Sequence, residues 1–207
     1  MAQVLEFDPA ASTPPVETPP HRRIRWASRA LSVLFGVIIV ADIVFVAALA
    51  LAFLTPYAGE HLTIGRSGMM LNVGPAPAGY VPPAGYVPVG TLPLLQRLAH
   101  MAMGVVVFTP GLMIFWNLRQ LFRLYGQGLV FSEANARRIK HIGAWLAANA
   151  VAPLISVSVL SALKMVVDHA WFHQDTIAQL VLGGVVYVIA QVMEVGHQIE
   201  EERGQYV

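Results

Sequence analysis

The chain has 207 residues, 56% of them hydrophobic and 12% charged, with a mean hydropathy of +0.60, whereas a soluble domain carries about 25% charge. Thirteen Lys plus Arg against twelve acids leave a net charge of +1, which disfavours a basic nucleic-acid binder and an acidic solvating chain alike. The lack of cysteine excludes disulfide scaffolds, thiolate metal sites, cysteine nucleophiles and CxxC redox chemistry, and the remaining class is an all-α integral membrane protein.

Residues 1–29 open the chain as a disordered, proline-rich segment with Pro9, Pro14, Pro15, Pro19 and Pro20 and few large apolar residues. Such a stretch buries too little to offset its ordering entropy. It turns basic at His21, Arg22, Arg23, Arg25 and Arg29, directly before an apolar run over 31–54. That run exceeds both the roughly 20 residues a spanning helix needs and the h-region of a secretory signal, so it reads as an uncleaved helix. The four-helix transmembrane domain then covers 30–195, with further spans at 94–116, 142–163 and 177–195. Gln96, Arg97 and His100 fall in the first turns of the second span and Pro110 in its interior.

The loop over 55–93 holds an internal repeat, Ala78-Gly79-Tyr80-Val81-Pro82 recurring as Ala84-Gly85-Tyr86-Val87-Pro88. Proline at this density favours extended backbone. His61 to Ile64 and Met69 to Val73, flanking Gly65-Arg66-Ser67-Gly68, suit a short β-hairpin resting on the helix ends or the headgroups. The connection over 117–141 ends in Gly128-Leu129-Val130-Phe131-Ser132-Glu133, where Ser132 is placed to cap a helix and Glu133 to complement its dipole. From there helix signals continue through Arg137, Arg138 and Lys140 into the third span, predicting one long helix. Residues 196–207 form an acidic tail.

Lys and Arg concentrate on one side. Arg22, Arg23, Arg25, Arg29, Arg119, Arg123, Arg137, Arg138, Lys140 and Arg203 lie there, against Arg66, Arg97 and Lys164 on the other. The positive-inside rule then places 1–29, 117–141 and the tail in the cytoplasm and the chain in the cell inner membrane, multi-pass, with both termini cytoplasmic.

Asp42 sits in the middle of the first span, where an ionisable group is costly. It reads either as a proton or cation site or, preferably, as an Asp that pins helix packing against Asn149, Ser156 or Ser158. His169 and His173 share a helical face at the spacing a divalent metal uses, with His61, His100, Glu60, Asp168 and Asp175 on the same side. The Glu of an HExxH site is missing, so these are read as solvated loop histidines and no metal or cofactor is expected. Ala144, Ala148, Ala152 and Ser156 make a stripe of small side chains for close helix approach, with Gly183-Gly184 in the same role on the fourth span. Trp26, Trp116 and Trp171 fall at span ends as belt residues. Nucleophile elbow, phosphate-binding glycine loop and paired carboxylates are all missing, so no enzyme is expected.

The segment Gly128-Leu129-Val130-Phe131-Ser132-Glu133-Ala134-Asn135-Ala136-Arg137-Arg138-Ile139, followed by Ile142-Gly143, resembles the signature G-x-P-F-x-x-x-N-x-x-x-[LI]-x-x-[IL]-G. That signature belongs to the bacterial membrane proteins catalogued as domain of unknown function 2975. The likeness covers Arg29 to Val207 and departs at Val130, where the family often has Pro. It implies no established activity. Members are often encoded beside a small helix-turn-helix transcription regulator, which implies a membrane component that tethers or restrains it. Phe131, Asn135, Arg138, Glu200, Glu201 and Glu202 would then form the contact face, with Ser132 and Asn135 also explained as capping residues. The competing expectation is a small proton- or cation-coupled transporter or channel in which Asp42, Asn149 and His100 line a path. Four helices make a narrow lumen, so that reading implies a homo-oligomer.

Overall fold

A computed structural model describes residues 19–55, 61–65, 68–71, 81, 84–127, 132–165 and 174–204. Helices α1 (Pro19–Leu54), α2 (Leu94–Gly126), α3 (Glu133–Ala162) and α4 (Gln174–Gly204) dominate it. Each is at least 30 residues long, hence about 45 Å or more, and overruns a hydrocarbon core of about 30 Å. All four are long and apolar enough to cross a membrane, and the chain is a multi-pass membrane protein.

α1 begins at Pro19, inside the segment expected to be disordered. Proline is tolerated in a first helical turn because its missing N–H would have no partner there. Extending an existing membrane helix backwards also needs no fresh nucleation. α4 likewise continues through Gly204, so most of the acidic tail is helical. α3 starts at its cap, Ser132, whose side chain accepts from the Asn135 amide. It stops in a Schellman turn, with Met165 N–H on the Leu160 carbonyl at 3.0 Å and Lys164 N–H on the Ser161 carbonyl at 2.9 Å. Lys164 takes the left-handed position there, at φ 55°.

Successive helices run antiparallel, and the substantial packing joins α1 to α2, α2 to α3 and α3 to α4. Among the described residues no other helix pair packs to a comparable extent. The helices therefore form an open row in place of a closed bundle. Val33, Val37, Val40, Val44 and Leu51 on α1 and Val181, Val185, Val188, Val192 and Val195 on α4 stay exposed along the two edge helices, surfaces suited to lipid.

Each seam has its own chemistry. Between α1 and α2 it is aromatic, with Phe35 stacked on Phe115 and Phe122 at 6.1 and 5.7 Å and Phe45 edge-on to Phe108 at 5.7 Å. Between α2 and α3 a side-chain hydrogen bond links Asn117 and Arg138. Between α3 and α4 the backbones nearly touch, since a Cβ on Gly143 would lie 2.8 Å from the Gly183 carbonyl and one on Gly183 2.8 Å from the Gly143 carbonyl. The stripe expected from spacing is displaced accordingly. Ala144 is exposed, Ala152 is buried, and Gly184 faces open space.

Away from the termini, the connection between α1 and α2 carries three antiparallel strands in the order β2-β1-β3, namely β1 (Leu62–Gly65), β2 (Gly68–Leu71) and β3 (Val87–Pro88). Leu62 pairs with Leu71 and Ile64 with both Met69 and Val87. β3 comes from the second copy of the Ala-Gly-Tyr-Val-Pro repeat. It forms a third strand that alternation alone did not indicate, because it is only two residues long. Tyr86 of that copy lies over Gly65, where a Cβ would approach the ring to 2.6 Å. Leu62, Ile64 and Val89 bury with Ala52 and Phe53 of α1, and Leu92 and Met101 pack alongside.

Candidate functional site

The end of the row at which α1 begins and α4 finishes, here the terminal end, collects most of the polar side chains of the helices. At the start of α3 the Asn135 amide bonds both the Ser132 carbonyl at 2.9 Å and its Oγ at 3.3 Å. Asn135 itself is 0% exposed and Ala136 is buried beside it. One turn on, Arg138 Nη1 donates to Asn117 Oδ1 at 3.3 Å, while Asn117 Nδ2 donates to the Met113 carbonyl at 2.8 Å. The second bond orients the amide so that its oxygen faces the guanidinium.

Of the expected contact face, Arg138 therefore bonds across the α2–α3 seam, and Asn135 is buried at the capped start of α3. Phe131 lies outside the described residues. Glu200, Glu201 and Glu202 stand on the helical backbone of α4 past the membrane-length part of that helix, though their side chains are not among those described. The charges that do face outward on α3 are Glu133 and Arg137, an i,i+4 pair 63% and 64% exposed. Across to α4, Lys140 Nζ lies 3.6 Å from Glu194 and 5.5 Å from the centre of the Tyr187 ring. A pair exposed by a third or more is worth about 0–1 kcal/mol, so this contact orients α4 more than it stabilises it.

Deeper in the row, Asn149 of α3 donates to Gln179 of α4 at 3.0 Å. Asp42 is elsewhere. It lines a groove of about 350 Å³ between α1 and α2 with Val46, Phe108 and Thr109, and α1 has no substantial packing with α3, the helix of Asn149, Ser156 and Ser158. Ser158 bonds its own helix at the Leu154 carbonyl. His100 is buried near the opposite end, with Nδ1 2.8 Å from the Gln96 carbonyl and its ring stacked on Phe53 at 6.4 Å. Among the described residues, Asp42, Asn149 and His100 thus sit in three separate places.

His169 and His173 lie outside the described residues, and among the described residues no cluster of His, Asp or Glu could hold a metal ion. The residues that sequence reasoning missed are Asn117 and Gln179. Each is a side-chain amide among apolar neighbours on a spanning helix, and such a group needs a partner because lipid offers none.

A family model described as Protein of unknown function (DUF2975) matches residues 75–204. The match takes in α2, α3 and α4, and α1 lies outside it. No curated protein and no solved structure matches the chain.

Proposed function

The chain belongs to the family of proteins of unknown function DUF2975, and from its geometry we propose a non-enzymatic membrane tether for a cytoplasmic protein. The observation that carries this reading is α4, one unbroken helix from Gln174 to Gly204. Past residue 195, its last nine residues extend about 13 Å as a rod bearing Glu200, Glu201 and Glu202. A rigid acidic helix suits a basic partner, since it pays little ordering entropy on binding. Surfaces that contact nucleic acid are of that kind, which makes a small helix-turn-helix regulator the favoured partner class. Acidic residues set against its DNA-contact face would compete with phosphate and so restrain it.

In this reading the terminal end faces the cytoplasm from the inner membrane, supported by the ten Lys and Arg on that side against three on the other. Arg138 serves as scaffold by bonding Asn117 across the α2–α3 seam, and Asn135 by closing the cap from which α3 starts.

A pull-down from native membranes through an N-terminal tag tests the tether. A small basic DNA-binding protein should co-elute with the natural chain and be lost when Glu200, Glu201 and Glu202 are all changed to Gln. Recovery of lipids and copies of this chain alone would sink the proposal. Coupled transport keeps one supporting observation, a carboxyl group, Asp42, lining the α1–α2 groove beside Thr109. The open row gives one chain no lumen, however, so transport would require several copies.

A further inference from the structure

A second groove lies between α1 and α2 near the terminal end. It measures about 390 Å³ and is lined by Arg29, Ser32 and Val33 from α1 and by Phe122, Arg123 and Gln127 at the end of α2. The stem of Arg29 crosses Gly126, where an added Cβ would stand 3.7 Å from Arg29 Cγ. No carboxylate lines the groove, and among the described residues neither guanidinium is in an ion pair.

Membrane depth follows from the register of the hairpin. Arg97 donates to the Phe53 carbonyl at one end, and at the other Gly36 of α1 lies beside the Arg119 side chain. Counting inward from Leu54, a core of about 30 Å crossed at about 20° of tilt uses some 20 to 21 residues. Its edge then falls near residues 33–35. Arg29 lies about 6–9 Å beyond that edge, level with Gly126, and Arg123 starts nearer the edge, one residue past Phe122, and lines the same groove. For Arg29 that is the depth of lipid phosphates, whereas Val33 and Phe122 stand at the top of the acyl chains and Arg123 extends its stem outward from there. The carbonyl end of α2 opposes an anion here with about half a charge. Two guanidinium charges outweigh it, and Gln127 N–H already occupies the Leu124 carbonyl at 3.0 Å.

We propose that this groove binds the phosphodiester headgroup of an anionic phospholipid, with Arg29 and Arg123 donating to its oxygens and Val33 and Phe122 seating the upper acyl chains. Guanidinium forks match phosphate oxygens in pairs, and the mixed walls fit a molecule that is charged at one level and apolar at the next. A soluble anion would leave the apolar wall unused. The assignment holds whichever side of the membrane the terminal end faces, so it stands apart from the tether.

The test is native mass spectrometry of the full-length protein in neutral detergent, titrated with phosphatidylglycerol and with phosphatidylcholine of the same chains. Two arginines near the surface should favour the anionic lipid by about 10- to 30-fold. Arg29→Gln with Arg123→Gln should bring the two lipids to within about threefold of each other, while Arg137→Gln, on the exposed face of α3, leaves the preference intact. Arg29→Lys with Arg123→Lys should retain part of it, and serves as the readout should the Gln pair fail to fold. Equal binding of both lipids by the natural protein, or full preference in the Gln pair, overturns the site. Displacement of the bound lipid by inorganic phosphate at matched concentration would instead make it a soluble-anion site and overturn the lipid assignment.

Discussion

Gly143 and Gly183 show how little room one residue can leave. Their helices meet backbone to backbone, so a methyl group at Gly143 collides with the Gly183 carbonyl and the Tyr187 amide, both 2.8 Å from the added carbon. Neither obstacle is a side-chain end that can swing aside. Gly143→Ala should therefore force α3 and α4 apart at a cost of about 1–3 kcal/mol, the usual range for overpacking. Gly184→Ala, one residue from the contact and facing open space, should leave stability unchanged or slightly raised. Thermal melts of both variants in the same detergent check this, and equal midpoints would contradict the close contact. The two adjacent glycines of α4 were visible as a packing signal in the sequence, but spacing could not say which of them meets a neighbour. The alanine stripe on α3 misled for the same reason. A period of four marks a face without naming what lies opposite, and Ala144 turned out to be exposed.

Among the elements, α2 and α3 depend on one another through a polar contact that hydropathy does not register. Arg138 and Asn117 are each unremarkable on their own helix. Their meaning appears only when the helices are laid side by side. Removing the guanidinium leaves the Asn117 oxygen without its donor at a buried position, for which about 1–3 kcal/mol is expected. Arg137 neighbours it in sequence but pairs with Glu133 in solvent, a contact worth about 0.3–0.5 kcal/mol. Arg138→Ala should thus lower the melting midpoint clearly and Arg137→Ala hardly at all. Equal effects would mean that the α2–α3 seam is held by something else. The existence of the four helices was legible from apolar runs of spanning length. Their true ends were not, because residues such as His21 to Arg29 and His197 to Arg203 carry no membrane signal and are helical only as continuations of a helix already formed.

For the molecule as a whole, antiparallel succession of four spanning helices puts the start of α1 and the end of α4 on one side, and charge asymmetry proposes which side that is. The absence of natural cysteine makes the proposal directly measurable with single introduced thiols. In intact cells, a membrane-impermeant maleimide should label Thr91→Cys, beside β3, and should reach Gln127→Cys only after permeabilisation. The reverse pattern would invert the topology and with it the tether. Neighbour order was beyond the sequence. Each span is apolar on most of its surface, so nothing in its pattern distinguishes a face meant for lipid from one meant for another helix. An open row with three unlike seams emerges only from the packed structure.

Because every seam joins a helix to the one synthesised just before it, no helix waits for a distant segment to arrive. The aromatic contact of α1 with α2 needs nothing from α3 or α4, and the glycine contact needs only α3 and the last helix made. The search for partners is thereby kept local, which favours rapid assembly. Biogenesis of this protein becomes a sequence of additions to a growing edge, and an error in one seam is carried forward only through the helices still to come.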